Sequence, residues 1–311
     1  SGVRNSIDMK KFIDICQFVL VLMGLMICGL FCTSLLQMLP LKGNALQWCL
    51  IGGQNILAFI LPAILTWKMC FKASPVIAIE ANHLPSIKMI GITLLIYILA
   101  LPALNQIVYW NQEMTLPEAL SEFEEWCRAM EEQAEELTTG LLNSTSLVPT
   151  IINILLIGVL TGIGEEFFFR GGLQRMMVWC KVNPHLAIWI TATVFSAIHF
   201  QFFGFIPRLL LGAFFGYLYW WSGNIWVNSF GHALNNSLVI VSSWCINKGY
   251  LSEEFDMFGV SEGGFPVLAI ISALLVSAII FMLCKRGVLV GKGIIPPEIP
   301  SKNLENATES K

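Results

Sequence analysis

Residues 147–178 read LVPTIINILLIGVLTGIGEEFFFRGGLQRMMV. The run is long and apolar enough to cross a bilayer as one helix, since about 20 apolar residues span the hydrocarbon layer. Yet Glu165, Glu166 and Arg170 sit well inside it. An ionisable side chain at that depth costs at least about 2.5 to 3.5 kcal/mol on insertion scales. Three together need a reason, and they are the strongest pointer to function in the chain.

Working outward, apolar spans can be drawn at 12–39, 49–67, 89–110, 147–178, 186–203, 206–222, 225–244 and 264–284. The expected fold is all-α, a polytopic membrane bundle of about eight transmembrane helices forming one domain over 1–311. No linker marks off a soluble domain and no internal repeat is visible. The composition agrees: 13% of residues are charged and 56% hydrophobic, where a soluble domain carries roughly 25% charged residues. The lipid bilayer is thus an expected partner and nucleic acid is not. Ser1-Gly2-Val3, without an initiator Met, reads as a tag remnant and is set aside.

Orientation follows from the Lys and Arg near the span ends rather than from the net charge of -3. Arg4, Lys10, Lys11, Lys68, Lys72, Lys88, Arg175, Lys181, Lys285, Arg286 and Lys292 fall on one side of such a bundle, and only Lys42 and Lys248 on the other. Both termini are therefore expected to be cytoplasmic, in a bacterial cytoplasmic membrane. Eight of the nine cysteines lie in or beside apolar spans without paired C-x-x-C spacing and read as buried free thiols, and Cys127 is the one in the acidic loop.

Between the third and fourth spans, Leu116, Leu120, Phe123, Cys127, Met130, Ala134, Leu137 and Leu141 recur in steps of three and four. That period predicts an extramembrane amphipathic helix over 115–141. Thr115 and Glu118 have capping-box spacing, with Pro117 in the first turn. The opposite face is acidic, carrying Glu118, Glu122, Glu124, Glu125, Glu131, Glu132, Glu135 and Glu136 against a single Arg128. Such a helix can be a solvated cover on the bundle, a lid over a cavity, or a docking surface for a partner.

Three polar motifs interrupt the apolar background: Glu165-Glu166-Phe167-Phe168-Phe169-Arg170, Phe195-Ser196-Ala197-Ile198-His199 and His232-Ala233-Leu234-Asn235-Asn236. On a helix Glu166 and Arg170 are i,i+4 neighbours, so Arg170 can neutralise Glu166 while Glu165 points about 100° away. At 1.5 Å per residue, Glu165 and His199 each lie about 20 Å from the turn that joins their spans. His232 reaches only about 13 Å from its own turn, so tilt or a broken helix must supply the rest.

A carboxylate beside a neutral imidazole can hold a water and take its proton during attack on a carbonyl, and a second His with an Asn can donate to the oxyanion. No G-x-S-x-G accompanies them, and Ser196 and Ser237 show no base partner. Two His and a Glu can also ligate zinc, but H-E-x-x-H is absent and the histidines are 33 positions apart, at 199 and 232. A hydrogen-bonded knot holding helices together is the structural alternative. His83 and His185, near span ends, read as interfacial residues.

The ordered set E-E-x-x-x-R, F-x-x-x-H and H-x-x-x-N resembles the CPBP family of CAAX proteases and bacteriocin-processing (Abi) enzymes, related to the Ras-converting CAAX endopeptidase. The resemblance covers 147–244. It implies an intramembrane glutamic endopeptidase, independent of metal and cofactor, in which Glu165 and His199 activate water. It further implies that His232 and Asn236 form the oxyanion hole while Glu166 and Arg170 position the site. The substrate would be a peptide or protein, with or without a lipid group, of CAAX or leader type. Two other readings stand beside it: a non-catalytic scaffold or immunity factor that binds a partner through the acidic helix, and a proton-coupled transporter. The last would call for inverted-repeat symmetry, which is not visible.

Overall fold

Helices supply every regular element among the described residues, which in this computed structural model are 2–292, with side chains from residue 9 onward. Ser1 and positions 293–311 of the expected single domain lie outside the described residues. The long helices are α1 (Gly2–Leu35), α2 (Asn44–Phe71), α3 (Ile87–Gln112), α4 (Ser121–Leu142), α5 (Leu147–Trp179), α6 (Pro184–Ala197), α7 (Phe205–Ser222), α8 (Ile225–Asn247) and α9 (Val267–Lys285).

Six of them are long and apolar enough to cross a membrane. The other two of the eight segments expected to span are α6 and α8. The first has only 14 residues, and the second carries the polar series Asn228, His232, Asn235 and Asn236. The protein is an integral membrane protein.

Phe18, Trp67, Phe168, Phe169 and Phe195 form the aromatic centre between α1, α2, α5 and α6. Phe18 meets Trp67 edge-on at 4.8 Å, and Trp67 Nε1 donates to the Gly171 carbonyl at 2.8 Å. Two small residues let α8 lie against α5: a Cβ on Gly162 would fall 2.8 Å from Ala233 N, and one on Gly158 would collide with Ser237 Oγ. This G-x-x-x-G contact allows two backbones to approach closely in lipid. Wide π-turns at Ile154–Leu160 and Phe167–Gln174 bracket the Glu pair. π-turns recur at functional sites because they re-aim side chains without ending the helix.

Several expectations are corrected. The fifth span, expected over 186–203, stops at Ala197; at 1.5 Å per residue α6 is about 21 Å long, short of the roughly 30 Å hydrocarbon layer. The space beyond its end is roofed by α4. That helix begins at Ser121 after a 3-10 turn at Glu118–Leu120, not at 115, and no side-chain cap forms. The Leu116 N–H donates instead to Glu124 Oε2 at 2.7 Å, and Arg128 ties Glu124 to the Met114 carbonyl.

The covered side of α4 keeps Cys127, Met130, Ala134 and Leu141 of the apolar stripe and adds acids to them. Cys127 and Leu141 are buried and Glu131 is half-buried, whereas Phe123 and Leu137 are about half exposed. Glu131 turns inward because its Oε1 accepts the Gly204 N–H at 3.1 Å. All nine cysteines are free as expected, but Cys16, Cys28, Cys32 and Cys284 are on the outside of the bundle rather than buried. On a membrane protein that surface meets lipid, where a thiol behaves as a small apolar group.

Candidate active site

Glu166 is the most constrained of the predicted site residues. It is fully buried on α5 and is contacted by three side chains, one from α5 and two from α8. Arg170 Nη1 donates to its Oε1 at 2.7 Å, His232 Nδ1 contacts the same oxygen at 2.8 Å, and Asn228 Nδ2 donates to Oε2 at 2.6 Å. Arg170, also fully buried, reaches across to the Gly212 carbonyl of α7 at 2.6 Å and lies 4.8 Å from the Phe195 ring centroid. One turn on, Gln174 Nε2 repeats the pattern on the Gly216 carbonyl at 3.0 Å. A buried ion pair holds when most of its donors and acceptors are met; here partners on α5, α7 and α8 meet both Glu166 oxygens and the Arg170 Nη atoms, while Arg170 Nε has no acceptor among the described residues.

The same contact fixes His232. A carboxylate paired with Arg170 only accepts, so the ring carries its proton on Nδ1 and turns Nε2 the other way. Phe215 stacks on the imidazole at 4.8 Å and 15°, and Phe195 meets it edge-on at 5.8 Å. His232 Nε2 then lies 3.7 Å from Glu165 Oε2, beyond direct hydrogen-bond length.

His199 sits in the turn that closes α6, next to Phe200 in the left-handed region at φ 53. Its Nδ1 contacts the Phe195 carbonyl at 2.7 Å. A carbonyl accepts, so this ring also holds its proton on Nδ1 and leaves Nε2 as an acceptor.

Asn236 Nδ2 donates to the Ile157 carbonyl at 3.1 Å within the first π-turn, and its Oδ1 accepts from Asn235 at 3.0 Å. Tyr97 of α3 holds Asn235 in turn at 3.0 Å. An amide has two N–H groups, so Asn236 keeps one for another acceptor.

Glu165, His199, His232 and Asn236 all line one cavity of about 770 Å³. Glu131 and Glu135 of α4 and Asp256 of the α8–α9 connection line the same cavity. Glu166 and Arg170 lie behind the wall. Among the described residues no three His, Cys, Asp or Glu side chains are grouped as metal ligands. His185 and His83 are elsewhere: the first contacts Tyr217 Oη at 2.9 Å, the second Asn82.

Residues 147–238 match the family model described as Type II CAAX prenyl endopeptidase Rce1-like. This segment is similar to that family. It is the stretch that carries all three polar motifs, and the match supports peptide hydrolysis in the membrane. No curated protein and no solved structure matches the chain.

The Rce1-like segment also holds two residues that the motifs did not single out. Asn228 is one turn before His232, so 228, 232 and 236 form one stripe on α8 and each meets α5. Arg208, a lone cation in the apolar run of α7, faces the cavity. The Asn-x-x-x-His-x-x-x-Asn spacing and the intramembrane Arg were both available as signals.

Proposed function

We propose that the chain is an intramembrane endopeptidase in which Glu165 is the catalytic base and no metal or cofactor is needed. The observation that carries this reading is the convergence of Glu165, His199, His232 and Asn236, from three separate segments, on one cavity inside the bundle. A water in that cavity donates one hydrogen to Glu165 and the other to His199 Nε2, which aims its lone pair at a peptide carbonyl. As the oxygen attacks, Glu165 takes the proton; the C–N bond then breaks and the proton passes to the leaving amine. The spare N–H of Asn236 stabilises the oxyanion, as does His232 when Nε2 is protonated. Such donors are worth about 100-fold or more in rate. Glu166, Arg170 and Asn228 hold His232 in place.

The substrate is a peptide or protein in the membrane, with or without a lipid group. The cavity ends beneath α4, at the end of α7 opposite Trp220, whose carbonyl accepts the Lys292 N–H. With both termini cytoplasmic, as the Lys and Arg distribution supports, substrate enters from the far face. The acidic helix then serves as the roof of the active-site cavity.

The test is hydrolysis of membrane-derived peptides by purified protein, with and without a chelator, read by mass spectrometry. Cleavage that survives chelation agrees with this chemistry. Loss of cleavage restored by zinc overturns it.

A further inference from the structure

Among the described residues Arg208 is the only Lys or Arg side chain lining the cavity that holds Glu165. Its Nη2 donates to Gln201 Oε1 at 2.6 Å, while its Nη1 is buried and meets no acceptor among the described residues. Gly204 makes room for the guanidinium, since a Cβ there would lie 3.1 Å from Nη2. Glu131 of the roof accepts the Gly204 N–H through Oε1 and makes no ion pair with Arg208 among the described residues. A guanidinium is a planar fork that matches a carboxylate with two parallel N–H bonds, and here one arm of the fork is unused.

Resting on the peptidase reading above, we propose that Arg208 anchors a carboxylate of the substrate peptide and so sets which bond is presented to Glu165. The acids on the cavity wall, Glu131, Glu135, Asp256 and Glu165, repel an anion everywhere else, so the Arg208 position gives a substrate carboxylate a single register. The carboxylate comes either from the chain terminus or from an Asp or Glu side chain. A neutral peptide lacks the anchor and leaves the guanidinium unmatched, which is how a site built for a polar group rejects an analogue without it.

The experiment uses dye-labelled apolar octapeptides, S-prenylated and plain, each made as free acid and C-terminal amide and each with an internal Asp or Asn. Binding is measured to the full-length Glu165→Gln protein and turnover to wild type. The expected result is at least tenfold tighter binding of one carboxylate form over its neutral partner. The acid against the amide identifies the terminus, and Asp against Asn identifies the side chain. Arg208→Gln should erase the preference, raising KM for the favoured peptide at least tenfold with kcat changed less than threefold, and Arg208→Lys should keep part of it. Equal binding of all forms to the Glu165→Gln protein, or no binding of any, overturns the anchor. A preference that persists in a folded Arg208→Gln protein does so too. Preferential binding without turnover by wild type would leave the anchor standing and remove the peptidase reading.

Discussion

Asn228 Nδ2 sits 2.6 Å from Glu166 Oε2, on the side of the carboxylate opposite His232 and Arg170. Asn228→Ala leaves that oxygen short of a donor, at a cost of about 1–3 kcal/mol for a buried group. If the loss appears in the positioning of His232, kcat falls about tenfold to a hundredfold while KM changes less than threefold. Steady-state kinetics on a cleavable peptide checks this. A change in KM alone would mean that Asn228 acts on substrate binding.

Arg170 and Glu166 are both fully buried. Arg170→Met strands the Glu166 charge, and breaking a buried pair in this way costs about 3–5 kcal/mol. Thermal unfolding in detergent should drop sharply for Arg170→Met. It should recover in large part for Arg170→Met with Glu166→Gln, because the second change removes the stranded charge.

Gly162 lies against the α8 backbone, with 2.8 Å between a built Cβ and Ala233 N. Gly162→Val must separate α5 from α8, and it does so three positions from Glu165. Activity should be lost while the protein still elutes as a folded species, and Gly91→Ala, where a Cβ meets nothing within 4 Å, should be harmless. Full activity in Gly162→Val would remove the close approach from the account.

The Leu116 N–H donates to Glu124 and Arg128 pairs with it, and together they hold the Glu124 carboxyl below its ordinary value of 4.5. A lowered folded-state value contributes stability that is present above the ordinary value and lost as pH falls through the lowered one. Hydrogen exchange at the Leu116 amide should therefore stay protected at pH 4.5 and open only in stronger acid. Glu124→Ala should open it at neutral pH.

Glu135 lines the cavity beneath α4, and Lys292 is tied to the opposite end of α7. In a background lacking reactive native cysteines, Glu135→Cys should react with an impermeant maleimide on intact cells and Lys292→Cys only after permeabilisation. The reverse pattern would place the cavity on the cytoplasmic face.

Much of this site is legible in the chain because charge inside an apolar span has few explanations. The pair at 165 and 166 and the spacing to Arg170 locate the ion pair, and the i,i+4 spacing of 232 and 236 places both on one face of α8. The apparent shortfall in the depth of His232 disappears in the folded protein: its Nδ1 reaches Glu166 directly. What depth counting could not supply is how α5 and α8 approach, which Gly158 and Gly162 decide. Arg208 obeys the same rule as Glu165, an ionisable group in an apolar run, and the rule applied along the whole chain finds it. The covered face of α4 is legible from periodicity in Cys127, Met130, Ala134 and Leu141; what periodicity misses is that hydrogen bonds from the Leu116 and Gly204 N–H groups bring Glu124 and Glu131 in beside them.

The most direct test of the central claim is single-turnover cleavage of one identified peptide by Glu165→Gln protein, purified with chelator present and shown to bind that peptide as wild type does. The predicted result is no product above the uncatalysed rate, with wild type active under the same conditions. Cleavage by Glu165→Gln at a rate near that of wild type would contradict the assignment of Glu165 as the base.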